Sequence, residues 1–200
     1  FYVQSNVQRA AAAALAGGKD EELLIGPLRR PQRGGVSGCD ARELRRRQME
    51  TKILKTTTED IREAAAVIAG GGIVAFPTET VYGLGADALN GEAVAKVYAA
   101  KGRPSDNPMI VHISSKDDLM RLTPAVTEDM QKLADAFWPG PMTMIVDRRS
   151  VVPDVTTGGL NTVGVRMPSA PEALELIRCS GCPVAAPSAN LSGRPSPTCS

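Results

Sequence analysis

A buried strand that runs directly into a proline and then into hydroxyl groups places the strongest constraint on this chain. Residues 73–76 (Ile-Val-Ala-Phe) form a continuous apolar run of the kind found inside α/β sheets, and Pro77 cannot donate to the next rung of a ladder. Thr78, Glu79 and Thr80 follow at the strand's carboxyl end, where open α/β sheets place their ligands. The sequence therefore predicts a ligand site at this edge of a sheet.

Two glycines follow the polar run. We expect Gly83 and Gly85 to let the backbone turn or approach a ligand closely, because glycine has no Cβ. They lack the third glycine of a dinucleotide fingerprint, so the pair by itself predicts no nucleotide site. Thr78 and Thr80 would equally suit a simple turn.

Strand and helix signals alternate from Met49 onward, which predicts an α/β fold, a three-layer sandwich with a mixed sheet flanked by helices. Thr57 and Asp60 have the spacing of a capping box at the first helix, and Ser169 with Glu172 has that spacing at the last one. The apolar periodicity predicts strands over 52–56, 73–76, 109–113, 142–146, 162–166 and 183–186, and helices over 57–69, 92–100, 115–121, 125–137 and 169–177.

Length and composition favour one water-soluble domain. The chain has 200 residues, of which 42% are hydrophobic, enough for a core. It contains no run of about 18 to 20 apolar residues, so we expect no membrane span. The amino terminus has no secretory signal pattern and the four cysteines are irregularly spaced, which predicts a cytoplasmic protein.

The charge divides the chain into two parts. Residues 1–48 hold nine Lys and Arg against five Asp and Glu, whereas residues 49–200 carry a net charge of −3. The first part also contains an alanine run and Arg-Gly-rich stretches with little periodicity. We therefore predict that residues 1–48 are a poorly ordered or non-native extension and that residues 49–200 form the folded domain.

Two later segments repeat the pattern of polar groups around turns. Residues 101–108 (Lys-Gly-Arg-Pro-Ser-Asp-Asn-Pro) precede one apolar strand, and residues 187–193 (Pro-Ser-Ala-Asn-Leu-Ser-Gly) follow another. With the run after Phe76, these segments resemble the YrdC family of threonylcarbamoyl-AMP synthases over residues 49–200. The family's diagnostic Lys-x-Arg and Ser-x-Asn pairs are matched in order by Lys101, Arg103, Ser188 and Asn190.

The resemblance implies a fold, a reaction and partners. The family fold is a twisted mixed sheet flanked by helices, and members make threonylcarbamoyl-AMP and pyrophosphate from L-threonine, bicarbonate and ATP. Other proteins then transfer the threonylcarbamoyl group to an adenosine of tRNA. Magnesium is expected to accompany ATP. Family members also continue beyond the position that matches Ser200, so we expect the carboxyl-terminal part of the domain to be missing.

The resemblance also assigns roles to single residues, in three sets. Lys101, Arg103, Ser188 and Asn190 would form the catalytic tetrad. Thr80, His112, Arg166 and the Ala186 backbone would hold threonine, and Arg103, Asn107, Thr162, Ser188 and Ser196 would hold the nucleotide. Arg166 is the natural partner for the threonine carboxylate, because guanidinium and carboxylate pair as a bidentate fork.

Some of these residues have ordinary structural readings when taken alone. A single histidine inside an apolar strand, such as His112, is usually a core residue, and Lys101 and Arg103 suit a helix end. Cys179 and Cys182 resemble half of a zinc or redox site, but without a second pair we expect structural thiols.

Two other functions remain open. One is an RNA-binding module, against which the net charge of −3 over residues 49–200 argues, leaving at most a weak RNA contact. The other is a carbamoyl-adenylate-forming domain like that of hydrogenase-maturation proteins. Those proteins carry acylphosphatase and zinc-finger-like regions that this sequence lacks.

Overall fold

A computed structural model describes the backbone of residues 22–25 and residues 52–102 and 104–190. In these ranges the strands, in chain order, are β1 (Glu22–Ile25), β2 (Lys52–Lys55), β3 (Val74–Phe76), β4 (Gly83–Asp87), β5 (Ile110–His112), β6 (Thr143–Asp147), β7 (Thr162–Arg166) and β8 (Val184–Ala185). The helices are α1 (Thr58–Ala69), α2 (Gly91–Lys101), α3 (Leu119–Leu122, after the 3-10 turn Lys116–Asp118), α4 (Glu128–Phe137), α5 (Asp154–Thr157) and α6 (Pro171–Ser180).

The strands form a mixed sheet in the order β2-β1-β3-β4-β8-β5-β7-β6. Strands β5 and β7 are parallel, and the remaining neighbours are antiparallel. Helices lie on both faces, so the predicted fold class is confirmed. No helix in the described ranges is both long and apolar enough to cross a membrane.

The two faces of the sheet bury separate cores. Alternate residues of one strand enter different clusters, as strand geometry requires, with Ala75 in one and Val74 and Phe76 in the other. The first core fills the space beneath α2, α3 and α4. The second lies beneath α1 and α6, which pack against each other. The site described below belongs to this second face.

Local signals explain most helix boundaries. Thr57 caps α1 by accepting a hydrogen bond from the Asp60 N–H, as the spacing predicts. The predicted Ser169 cap is wrong, because α6 begins at Pro171 with Ala170 before it and no side-chain cap. Proline at the first helical position has a suitable φ and needs no amide partner, which accounts for this start.

The structure adds strands that the periodicity did not indicate. Residues Gly83–Asp87, expected to turn or approach a ligand, form strand β4 between β3 and β8. A Cβ on Gly85 would lie 2.7 Å from both the Phe76 ring and the Val184 side chain, so this glycine serves close packing within the protein. Strand β1 falls inside the extension expected to be poorly ordered, and it pairs with both β2 and β3. The rest of residues 1–48 lies outside the described residues.

Candidate functional site

Strand pairing places His112 beside Arg166 on the second face of the sheet. The two residues are direct partners in the parallel register of β5 and β7, and His112 is also opposite Val184 of β8. Paired residues on neighbouring strands project from the same face. Helix α1 packs on β1 to β4, so His112 and Arg166 lie beside the helix layer. On the same face, Ile145 of β6 is 76% exposed. His112 and Arg166 therefore lie between the helix-covered part of this face and the exposed Ile145.

Both side chains are buried and each keeps a polar atom without a partner. His112 is 3% exposed and Arg166 is 8% exposed. Among the described residues, His112 Nδ1 and Arg166 Nε make no hydrogen bond. A buried polar atom normally has a partner, because leaving it unpaired costs about 1 to 3 kcal/mol. These two atoms are therefore candidates for contact with a ligand.

The loop between β3 and β4 closes one side of this place. Thr78 Oγ1 holds the loop together, since it donates to the Val81 carbonyl at 2.6 Å and lies 3.1 Å from Thr80 Oγ1. The Glu79 side chain extends from the loop and forms an ion pair with Arg166 Nη2. The Phe76 ring meets His112 edge-on, with centroids 6.3 Å apart. Thr80 itself is exposed and follows Glu79 in the chain.

Electrostatics fix the protonation states at neutral pH. Burial, together with the Arg166 charge, lowers the pKa of His112 to about 4, so its imidazole is neutral. Burial alone would raise the pKa of Glu79. The hydrogen bond and charge of Arg166, with the backbone N–H groups of Glu79 and Ser169, outweigh burial and hold that pKa below its ordinary value. The described site thus contains one ion pair and one neutral imidazole.

A second group of predicted residues meets at the other end of β8. Lys101, the last residue of α2, is 3% exposed, and its ammonium donates to the Ser188 carbonyl and, at 2.5 Å, to the Asn190 carbonyl. The Ser188 hydroxyl donates to Asn190 Oδ1. Ser188 also forms a bridge with Gly83. Three of the four tetrad residues are therefore in direct contact.

The remaining predicted residues separate into three groups. Asn107 precedes β5 and Thr162 begins β7, so both lie toward the end of the sheet that holds Ser188. Ala186 links the two ends, because its N–H donates to the Ile110 carbonyl at 3.0 Å. Arg103 and Ser196 lie outside the described residues. The catalytic, threonine-binding and nucleotide-binding roles of all these residues stay predictions.

Glu79 is the residue that sequence reasoning left without a role. Its partner Arg166 is 87 residues away in the chain, so no local pattern connects the two. The only signal was an acidic side chain within a run of hydroxyl residues after a buried strand.

Two of the cysteines, Cys179 and Cys182, lie in the described residues at the end of α6 and just after it. Both are free thiols, and burial raises the pKa of Cys182 to about 11. Burial also raises the pKa of Cys179. A protonated thiol is a poor nucleophile and a poor metal ligand. No cluster of three or more His, Cys, Asp or Glu in the described ranges could hold a metal ion.

Fold and site together define an α/β protein in which His112 and Arg166 lie at the carboxyl ends of two parallel strands and Glu79 pairs with Arg166. The family model described as "Telomere recombination", for Sua5, YciO and YrdC proteins, matches residues 66–200. The chain therefore belongs to the Sua5/YciO/YrdC family.

Curated relatives and solved structures agree with this family. The chain is 56% identical over 138 residues to a threonylcarbamoyl-AMP synthase of Pyrococcus abyssi, covering 69% of this chain and 41% of that protein. It is 54% identical over 149 residues to a threonylcarbamoyl-AMP synthase of Bacillus subtilis, covering 74% and 43%. The chain thus spans about two fifths of the length of these relatives.

Two solved structures share the fold. Pyrococcus abyssi Sua5 complexed with L-threonine matches with a TM-score of 0.69 and 55% identity, over 70% of this chain and 42% of that one. A full-length HypF in a phosphate- and nucleotide-bound form matches with a TM-score of 0.60 and 23% identity, over 68% of this chain and 21% of that one. The second likeness concerns the fold alone.

Proposed function

We propose that this protein takes part in ATP-dependent synthesis of threonylcarbamoyl-AMP from L-threonine and bicarbonate, with release of pyrophosphate. The names of the two relatives at 56% and 54% identity support this proposal. The single structural observation that carries it is the buried His112 and Arg166 pair with an unpartnered polar atom on each side chain. L-threonine is also the ligand of the similar Pyrococcus abyssi structure.

The amino acid would bind at the His112 and Arg166 end. We assign the ligand carboxylate to Arg166, whose Nε has no partner among the described residues while Nη2 pairs with Glu79. A neutral imidazole has one N–H and one lone pair, so Nδ1 of His112 would make one hydrogen bond to the ligand. We also assign Thr80 and the Ala186 backbone to this amino-acid site. The threonine hydroxyl and carboxylate are both groups that such a site would hold.

The nucleotide would bind at the Ser188 end. Val184, the partner of His112, precedes Ser188 by four residues, which corresponds to roughly 13 Å of extended chain. In the reaction the carbamate oxygen of carboxylated threonine bonds to the α-phosphorus of ATP, and the bond to the bridging oxygen breaks as pyrophosphate leaves. Because anionic groups approach one another, positive charge and hydrogen-bond donors must surround them. Lys101, Arg103, Asn107, Thr162, Ser188, Asn190 and Ser196 are the residues that we assign to this end.

Magnesium would enter with ATP. The described residues offer no cluster of carboxylates or imidazoles for it, so we assign it no protein ligand. Mg²⁺ commonly binds through substrate phosphates with few protein contacts. Other proteins would then transfer the threonylcarbamoyl group to tRNA. We also propose that this chain makes at most a weak contact with RNA.

Pyrophosphate release tests this function directly. The protein is incubated with ATP, magnesium, bicarbonate and L-threonine, and pyrophosphate is measured with threonine or bicarbonate left out in turn. We expect release to need both, and to fall at least tenfold when valine replaces threonine, since a donor or acceptor left unpaired costs about 1 to 3 kcal/mol. Release that continues without threonine would contradict the proposal.

A further inference from the structure

The Glu79 carboxylate is fixed in place at the edge of the proposed threonine position. One oxygen accepts a hydrogen bond from Arg166 Nη2, and the two side chains form an ion pair. The side chain is 19% exposed, so it is neither fully buried nor free in solvent. Because this ion pair is formed by the protein alone, the carboxylate has a defined position before any ligand arrives.

The contact with Arg166 leaves the carboxylate able to accept further donors. An ionised carboxylate has about four acceptor positions on its two oxygens. Arg166 Nη2 occupies one of them in the described structure. Another would be available to a ligand on the face that carries His112 and Arg166.

Charge limits which ligands suit this place. Arg166 and Glu79 together carry no net charge, and His112 is neutral at pH 7. A ligand with only a carboxylate would gain from Arg166 but be repelled by Glu79. A zwitterion, with a cationic ammonium and an anionic carboxylate, complements both members of the ion pair. The pair of fixed charges therefore favours an α-amino acid over the corresponding simple acid.

We propose that Glu79 is a specificity residue that binds the ammonium group of the amino-acid ligand while Arg166 binds its carboxylate. This inference rests on the proposed threonine site and adds to it a residue that contacts the ammonium group. It assigns Glu79 a direct contact with the ligand, in addition to its contact with Arg166.

Calorimetric titration with two matched ligands tests the assignment. L-Threonine carries the ammonium, and 3-hydroxybutyrate is the same acid without the amino group. We expect the unaltered protein to bind threonine at least ten times more tightly than 3-hydroxybutyrate. In Glu79→Gln, threonine affinity should fall at least tenfold while 3-hydroxybutyrate affinity stays the same or rises, because the repulsion is gone. The ratio of the two affinities should therefore shrink.

Three results separate the ways in which the idea would fail. If Glu79→Gln weakens both ligands equally, Glu79 only positions Arg166 and the proposal is overturned. If threonine binding is unchanged in the variant, Glu79 makes no ammonium contact. If the unaltered protein binds no threonine, the proposed function fails together with this inference.

Two further variants serve as controls in case Glu79→Gln does not fold. Glu79→Asp keeps the charge and should retain a preference for threonine, so it keeps the proposal testable where Glu79→Gln unfolds. Glu128→Gln changes a carboxylate whose side chain is 79% exposed, and it should leave both affinities unchanged. Loss of the preference in Glu79→Asp with a folded structure would overturn the proposal.

Discussion

The ammonium of Lys101 lies 2.5 Å from the carbonyl oxygen of Asn190, although 89 residues separate the two in the chain. It also donates to the Ser188 carbonyl. The end of α2 is thereby tied to the turn after β8. A buried ammonium needs such partners, because burial without them would be costly. Lys101 therefore holds Ser188 and Asn190 in position, whatever it contributes to a bound nucleotide.

The first prediction concerns the hydrogen bonds of Lys101 with the Ser188 and Asn190 carbonyls. Lys101→Met keeps the length of the side chain but leaves the Ser188 and Asn190 carbonyls without their donor. We expect the free energy of unfolding to fall by about 1 to 3 kcal/mol, measured by urea denaturation. We also expect at least a hundredfold loss of threonine-dependent pyrophosphate release, about 2.7 kcal/mol.

Lys132→Met is the matched control, since that side chain is 66% exposed and pairs only with surface carboxylates. It should change neither quantity by more than about 0.5 kcal/mol. An unchanged free energy of unfolding in Lys101→Met would show that the Lys101 hydrogen bonds do not stabilise the protein.

The second prediction concerns pH. The chain has one histidine, and burial with the Arg166 charge lowers its pKa to about 4 in the folded protein, against about 6.5 when unfolded. Between these values the unfolded chain binds the extra proton, so stability is complete above pH 6.5 and is lost as pH falls toward 4. The His112 contribution to this loss is about 3 kcal/mol. Denaturant unfolding at half-unit steps from pH 4.5 to 8 measures it.

His112→Gln isolates that contribution, because glutamine keeps a polar side chain that does not titrate. The difference in slope between the two proteins below pH 6.5 belongs to His112. Glu79 also has a lowered pKa and acts at lower pH, and it is present in both proteins. Parallel stability curves from pH 4.5 to 8 would show that His112 titrates normally.

The third prediction concerns the packing of β4 beneath the site. In Gly85→Ala the new methyl group would meet the Phe76 ring and the Val184 side chain at 2.7 Å. We expect a loss of about 1 to 3 kcal/mol in stability, because overpacking forces neighbours to move. Phe76 contacts His112, so threonine affinity should also fall. Thermal unfolding and calorimetry measure the two effects.

Gly91→Ala is the control for this substitution, since the atom nearest to its added Cβ would be Val155 Cγ1 at an ordinary 3.4 Å. It should lose less than about 0.5 kcal/mol. If Gly85→Ala matches the control, the β4 glycine is not needed for packing.

Hydrophobic periodicity predicted most of the fold because the faces of the sheet bury different residues. Strand β7 was predicted with its observed bounds, and α1 with its threonine cap. Strand β4 was missed because two of its first three residues are glycine, a weak strand former. The apolar Leu84 and Ala86, which alternate with them and face the first core, were the available signal.

The site was only partly predictable for a different reason. Motif order grouped Lys101 with Ser188 and Asn190, and the structure brings these three together. Strand register decides that His112 lies beside Arg166, and loop geometry decides that Glu79 reaches Arg166. Neither the strand register nor the conformation of the loop can be deduced from hydrophobic periodicity. The sequence alone therefore contained no evidence for the ion pair.

The last prediction measures that ion pair. The side chains of Arg166 and Glu79 are 10% and 19% exposed, so their interaction is screened less than that of surface pairs, which contribute about 0 to 1 kcal/mol. Arg166→Met should destabilise the protein by about 1 to 3 kcal/mol, because it leaves the partly buried Glu79 carboxylate without its partner. Glu79→Gln combined with Arg166→Met should recover part of that loss. A double-mutant cycle from urea denaturation at pH 7 should therefore give a coupling energy of about 1 to 3 kcal/mol. The same cycle between Arg166 and the distant Glu128 should give a value near zero, and equal coupling in both cycles would show that the Glu79 contact has no specific energy.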